Sequence, residues 1–235
     1  MNVLTSIATF YKQGGMFMHA VLVIAVLIVA IVLERLVVIG RATALNGRKL
    51  TNDLVTTLRR GDMAKAHALS QKSSAPAALV AQAMLDAGAA DEAALQSAAD
   101  DAATLALPDL TRRLSYLGVL ANSATLIGLL GTITGLITAI SGVGVADAAQ
   151  RSAYLSAGIS EALHTTAFGL VIAIPTLMIQ GWLNGRVESV AQDVDEMSIR
   201  LSRALAGSND GRMATPVSAL GRLGGGETLR AAPDR

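Results

Sequence analysis

GISEALHTTAFGLVIAIPTLMIQGWL, residues 158–183, is long enough to cross a lipid bilayer. Its first third nevertheless holds a carboxylate, Glu161, an imidazole, His164, and two neighbouring hydroxyls, Thr165 and Thr166. An acid inside a membrane segment costs roughly 2.5–3.5 kcal/mol on insertion scales, so ion or proton handling is the default hypothesis. On a helix Glu161, Thr165, Gly169, Ile172, Thr176 and Gln180 step by three or four residues and share one side. Ala162, Thr166, Gly169 and Ala173 make an adjoining stripe of small residues. Pro175 removes one backbone donor, which predicts a bend or a locally freed carbonyl.

Spacing also bears on depth. Glu161 and Arg186 are separated by about 38 Å of helix, longer than a hydrocarbon core of about 30 Å. Glu161 is thus expected near the outer boundary unless the helix extends well past the inner face. Two readings of it stay open: an acid on an ion pathway, or an acid near a helix start, where the macrodipole favours an anion and Ser156 or Ser160 caps. His164 lies on a neighbouring face and is a candidate relay. Thr165 and Thr166 are either ion ligands or packing residues that bond back to carbonyls.

Working outward, the apolar run from Leu114 to Ile140 carries Gly131, Gly135 and Ala139 at four-residue spacing, which lets a neighbouring helix approach closely. Asn122, Thr125, Leu129 and Thr132 form a second, partly hydroxylic stripe. GLLGTITG (128–135) is not a phosphate loop, since no Gly-Lys-Ser/Thr follows it. Farther back, MFMHAVLVIAVLIVAIVL (16–33) spans about 27 Å and is interrupted only by His19. It ends in Glu34-Arg35 rather than a small-residue cleavage site, so an uncleaved transmembrane helix is expected instead of a signal peptide.

Arg35, Arg41, Arg48 and Lys49 crowd the far side of the first run, and Arg112-Arg113 open the second. The positive-inside rule places that side in the cytoplasm, with the N-terminus outside. Between them, residues 50–107 are alanine-rich and helical in pattern, with breaks at Gly61-Asp62, at 73–76 and at 88–91. The predicted organisation is an outer lead (1–15), a first span (16–39), a cytoplasmic helical region (40–113), a second span (114–141), an outer turn (142–156), a third span (157–185), a cytoplasmic helix extension (186–206) and a flexible tail (207–235).

The chain is 52% hydrophobic and 16% charged, which fits an all-α integral membrane protein with three transmembrane helices. Aromatics make up only 3% while small residues abound, so the helices should pack backbone to backbone. A net charge of +1 without a basic patch gives nucleic-acid binding no support. The absence of cysteine excludes thiolate metal sites and cysteine nucleophiles. His67 has no neighbours at metal-ligand spacing, and no metal site or cofactor is expected. An acid/base enzyme using Glu161 and His164 is disfavoured, because no nucleophile or substrate cradle accompanies them. A structural scaffold, with Glu161 and the threonines as glue, is the rival from another class.

GLLGTITGLITAISG (128–142) followed by GISEALHTTAFGLVIAIP (158–175) resembles the paired signature of the MotA/TolQ/ExbB proton-channel family, most closely its TolQ/ExbB branch. The resemblance covers roughly residues 116–186. It maps the family's membrane glutamate onto Glu161, its second-span threonine onto Thr132 and its third-span threonine onto Thr166. His164 and Thr165 depart from the usual apolar residue and alanine. The resemblance implies a homo-pentamer in the bacterial inner membrane around a single-span partner like ExbD, TolR or MotB, in two copies, whose aspartate carries the ion. It implies H+ as the transported ion, with Na+ the alternative that the paired hydroxyls would suit. Gly169 and Pro175 join Gly131 and Gly135 as helix-packing residues.

Overall fold

The computed structural model describes residue 11 and residues 14–44, 46–88, 91–145 and 147–213. Most of the expected lead and the expected tail beyond residue 213 lie outside the described residues. Eight helices are present among the described residues: α1 (Phe17–Ala44), α2 (Gly47–Arg59), α3 (Met63–Ser70), α4 (Pro76–Ala87), α5 (Glu92–Ala106), α6 (Pro108–Thr111), α7 (Leu114–Val145) and α8 (Arg151–Met213). Three of them, α1, α7 and α8, are long and apolar enough to cross a membrane. The protein is all-helical among these residues.

Local chemistry sets the helix limits. Asn46 and Asp62 cap α2 and α3 by accepting from the backbone N–H of Lys49 and Lys65 at 3.1 and 3.0 Å. Pro76 and Pro108 occupy first-turn positions, where a missing N–H is harmless. Gly88, at φ 72°, ends α4 in a conformation that side chains resist. The longest helix, α8, passes Pro175 without interruption. There Pro175 faces outward, and the next residue, Thr176, donates its hydroxyl back to the Ile172 carbonyl at 2.6 Å.

Helices α7 and α8 also extend into the stretch expected as the outer turn, leaving only residues 146–150 between them. At the other end α8 continues into the stretch expected as tail. Its last third joins α2, α4 and α5 in a helical bundle around Leu54, Leu58, Val80, Met84, Leu95, Met197 and Leu201, all fully or nearly fully buried. Arg48 and Arg200 tie α2 to α8 through Asp193, Glu196 and Asn52.

In the apolar part, α7 and α8 form an antiparallel hairpin against which α1 packs. The hairpin seam is lined by small residues: Gly128, Gly131, Gly135 and Ala139 on α7 face Gly158, Ala162, Thr165 and Gly169 on α8. Large apolar side chains such as Val23, Leu126, Ile137, Leu163 and Val171 point away from the seam and stay more than half exposed in the single chain. These faces match lipid or neighbouring copies.

At the end opposite the α7–α8 turn, charged groups fasten α1 to the others. Arg35 is only 4% exposed. It donates to the Asp109 carbonyl at 3.0 Å and to Glu34 Oε1 at 2.8 Å. Arg113 donates to both Glu34 oxygens at 2.6 Å. That grip accompanies a left-handed backbone at Arg113, φ 66°, which a residue with a side chain rarely adopts. Arg35→Ala is expected to lower stability by about 2 kcal/mol, since it removes a buried guanidinium that bonds both the Asp109 carbonyl and the partly exposed Glu34 carboxylate. A clear fall in the thermal midpoint of the detergent-purified protein checks this.

Candidate ion pathway

Helix α8 is registered on its neighbours at two levels. Gln180 Nε2 donates to the Leu114 carbonyl at 3.1 Å, where α7 begins. Glu161 stands against Gly15, just before α1 begins. The 19 residues between these levels rise about 29 Å, close to the thickness of a hydrocarbon core. Glu161 therefore lies about one hydrocarbon thickness from Gln180 along α8, on the side of the α7–α8 turn, and α8 runs on well past Arg186 at the other end. Glu161 is half-buried.

One and a half turns deeper, Thr132 of α7 and Thr166 of α8 meet across the seam with their hydroxyls in contact. Thr166 Oγ1 donates to the Gly128 carbonyl at 2.7 Å, and Thr132 Oγ1 lies 3.3 Å from the same oxygen. The Thr132 proton can thus turn toward either Gly128 or Thr166. Two hydroxyls and a carbonyl, held together in apolar helices, make a short donor–acceptor chain that can reorient without breaking the backbone.

Gly128 permits this meeting. A Cβ there would lie 3.2 Å from the Thr165 carbonyl oxygen and 3.3 Å from the Thr166 Cα, tighter than most real contacts. Gly135 and Gly158 bring the helices together one turn farther out, and Gly169 does so one turn deeper, with its α-carbon beside the Ala124 carbonyl. Pro175 contributes to no part of this seam.

Thr165 goes elsewhere. Its neighbour Thr166 points at α7, and a 100° step turns Thr165 toward the start of α1, where it is 1% exposed. Its methyl packs on Gly131, and its hydroxyl donates to the Gly14 carbonyl at 2.7 Å, with the Glu161 carbonyl at 2.9 Å. The structure thus separates Thr165 from the Thr132–Thr166 contact.

His164 lies on the outward flank of α8. Its Nδ1 is 2.6 Å from the Ser160 carbonyl, so that nitrogen carries the proton and donates. The ring borders an open groove shared with Ser152, Ser156 and Ser160 and with Leu155, Ile159 and Leu163. Sequence reasoning did not identify Gly14 and Gly15 as partners of this region, nor the Glu34–Arg113 pair at the opposite end. The glycine doublet before the first apolar run was the available signal.

Comparison with known proteins identifies the family. A model of the MotA/TolQ/ExbB proton channel family matches residues 71–196, which contain Thr132, Glu161 and Thr166. The chain is 30% identical over 166 residues to the ExbB-like 3 protein of Synechocystis sp., covering 70% of this chain and 79% of that one. It is 34% identical over 105 residues to the Tol-Pal system protein TolQ of Haemophilus influenzae, covering 43% and 46%. To the biopolymer transport protein ExbB of Helicobacter pylori it is 41% identical over 70 residues, covering 30% and 48%, so the match spans about half of these last two relatives. A three-helix apolar bundle, a hydroxyl contact across its closest helix pair and a glutamate packed against the turn before α1 accompany the family match, and the chain belongs to the MotA/TolQ/ExbB family, on its TolQ/ExbB-like side.

Proposed function

We propose that this chain is a proton-conducting subunit of an inner-membrane motor complex. Five copies surround two single-span helices of a partner resembling ExbD, TolR or MotB, with the α7–α8 turn in the periplasm and the α2–α5 bundle in the cytoplasm. The observation that carries the reading is the Thr132–Thr166 hydroxyl contact across the α7–α8 seam, with Glu161 about one and a half turns away on α8. Clustered arginines at the opposite end support the orientation. The names of the relatives, which speak of biopolymer transport and the Tol-Pal system, support a role in powering outer-membrane transport or envelope maintenance.

Physical reasons favour a shared pathway. Between the levels of Glu161 and Gln180, α8 carries no acid of its own, so a charge crossing the apolar zone needs a carboxylate from elsewhere. Protonation of the partner's aspartate neutralises it and lets it pass the apolar wall. Deprotonation beside the next hydroxyl pair then holds it there. Each elementary charge crossing contributes about 2.3 kcal/mol per 100 mV, enough to bias a step of the five-fold ring around the pair.

The test is proton flux into vesicles holding the chain with its partner, read by an internal pH dye under an imposed membrane potential. Wild type is expected to conduct without sodium, and Glu161→Gln to fall to the level of empty vesicles with assembly intact. Wild-type flux in the variant would leave the scaffold reading standing, and collapse of wild-type flux in sodium-free medium would make sodium the ion.

A further inference from the structure

Glu161 is held in place from outside the α7–α8 pair. Gly15 has φ 65°, a left-handed conformation suited to glycine, and its α-carbon backs directly onto the Glu161 side chain. A Cβ at Gly15 would overlap the Glu161 carboxylate and lie 3.1 Å from its Cγ. One residue earlier, the Gly14 carbonyl accepts the buried Thr165 hydroxyl, a contact across 151 positions of sequence. The Thr165 hydroxyl also touches the Glu161 carbonyl, so one side chain joins the turn to the backbone of the residue it covers.

The same turn is anchored on both sides by aromatic contacts. Tyr11 stands edge-on to His19 of α1 at 5.4 Å and to Phe168 of α8 at 6.5 Å between ring centroids. The Gly14 N–H returns to the Tyr11 carbonyl at 3.3 Å. Tyr11, Gly14 and Gly15 all lie outside residues 71–196, the stretch matched by the family model. Thr165 stands where the family resemblance leads one to expect alanine, which has no hydroxyl to give.

We propose that the Gly14–Gly15 turn is a latch that positions Glu161, with Thr165 as its bolt. Latched, the carboxylate is packed against the Gly15 backbone and shielded on the α1 side. Released, it swings away from the Gly15 backbone. Thr165 and Gly15 are positioning residues that act through Glu161. The inference rests on the proposed conducting role only for its effect on flux; the shielding itself is independent of it.

The experiment compares wild type with Gly15→Ala, Thr165→Val and Thr165→Ser in the partner-bound complex. Two readouts are taken: modification of Glu161 by dicyclohexylcarbodiimide, followed by mass spectrometry, and proton flux. Gly15→Ala and Thr165→Val are expected to speed modification roughly three- to tenfold, the equivalent of losing about one hydrogen bond. Both are expected to slow flux, and Thr165→Ser, which keeps the hydroxyl, to restore both values at an unchanged thermal midpoint. Wild-type modification rates in Gly15→Ala and Thr165→Val would overturn the latch, as would a Ser variant no better than Val. If Glu161→Gln conducts normally while the modification rates still change, the conducting role fails and the latch stands.

Discussion

Gly169→Ala is expected to destabilise the protein by about 3 kcal/mol, the upper end of what overpacking usually does. The added Cβ would stand 2.6 Å from the Ala124 carbonyl oxygen and 3.4 Å from the Gly128 α-carbon, both backbone atoms of α7. A flexible side chain could move aside, but a helix backbone in mid-seam cannot do so without opening the contact on either side. The displacement also reaches Gly128, whose carbonyl accepts the Thr166 hydroxyl. Gly181→Ala supplies the comparison, because a Cβ there meets nothing within 4 Å in the chain. Alanine favours a helix over glycine by roughly 0.5–1 kcal/mol, so that variant should be neutral or slightly more stable. Thermal midpoints of the two purified variants in one detergent give the check, and equal losses would mean that the seam is looser than its geometry indicates.

Thr166→Val is expected to reduce proton flux about tenfold, corresponding to about 1.4 kcal/mol in the barrier. Valine keeps the shape of threonine, so the seam stays filled. What disappears is the donor to Gly128 and the partner of the Thr132 hydroxyl. If the two hydroxyls only fasten helices, the variant loses about 1 kcal/mol of stability and conducts normally. If they lie on the pathway, flux falls far more than stability does, and Thr166→Ser recovers it. Measuring flux and thermal midpoint on the same preparations separates these outcomes. A fall in stability alone would remove Thr166 from the pathway.

Much of the architecture was legible because membrane helices advertise themselves. Three long apolar runs and the four-residue spacing of Gly131, Gly135 and Ala139 speak of spans and close packing, and the structure has three such helices with a small-residue seam. Counting residues to Arg186 left the depth of Glu161 open, because α8 continues well past the end of the apolar run. Spacing was weaker at telling Thr165 from Thr166. Both touch α7, and which hydroxyl turns to α7 depends on where α1 packs. That contact joins Gly14 to a residue 151 positions away, beyond the reach of any local pattern. Arg35 is a similar case, since the sequence reads it as one of several basic residues that mark the end of the first run and carries no sign of its burial. Its burial comes from α6, whose Asp109 carbonyl meets it from 74 positions away.

Helix α8 has no break between the turn and the base of the bundle. From Thr166 to Met213 it extends about 70 Å, so each degree of lean about the hydroxyl pair shifts its far end by about 1.2 Å. The α2, α4 and α5 bundle is clamped on that lever arm through Met197 and Leu201. Strain imposed at the hydroxyl pair would arrive at the bundle as sideways travel, and a grip on the bundle would feed back on the seam through the same strut.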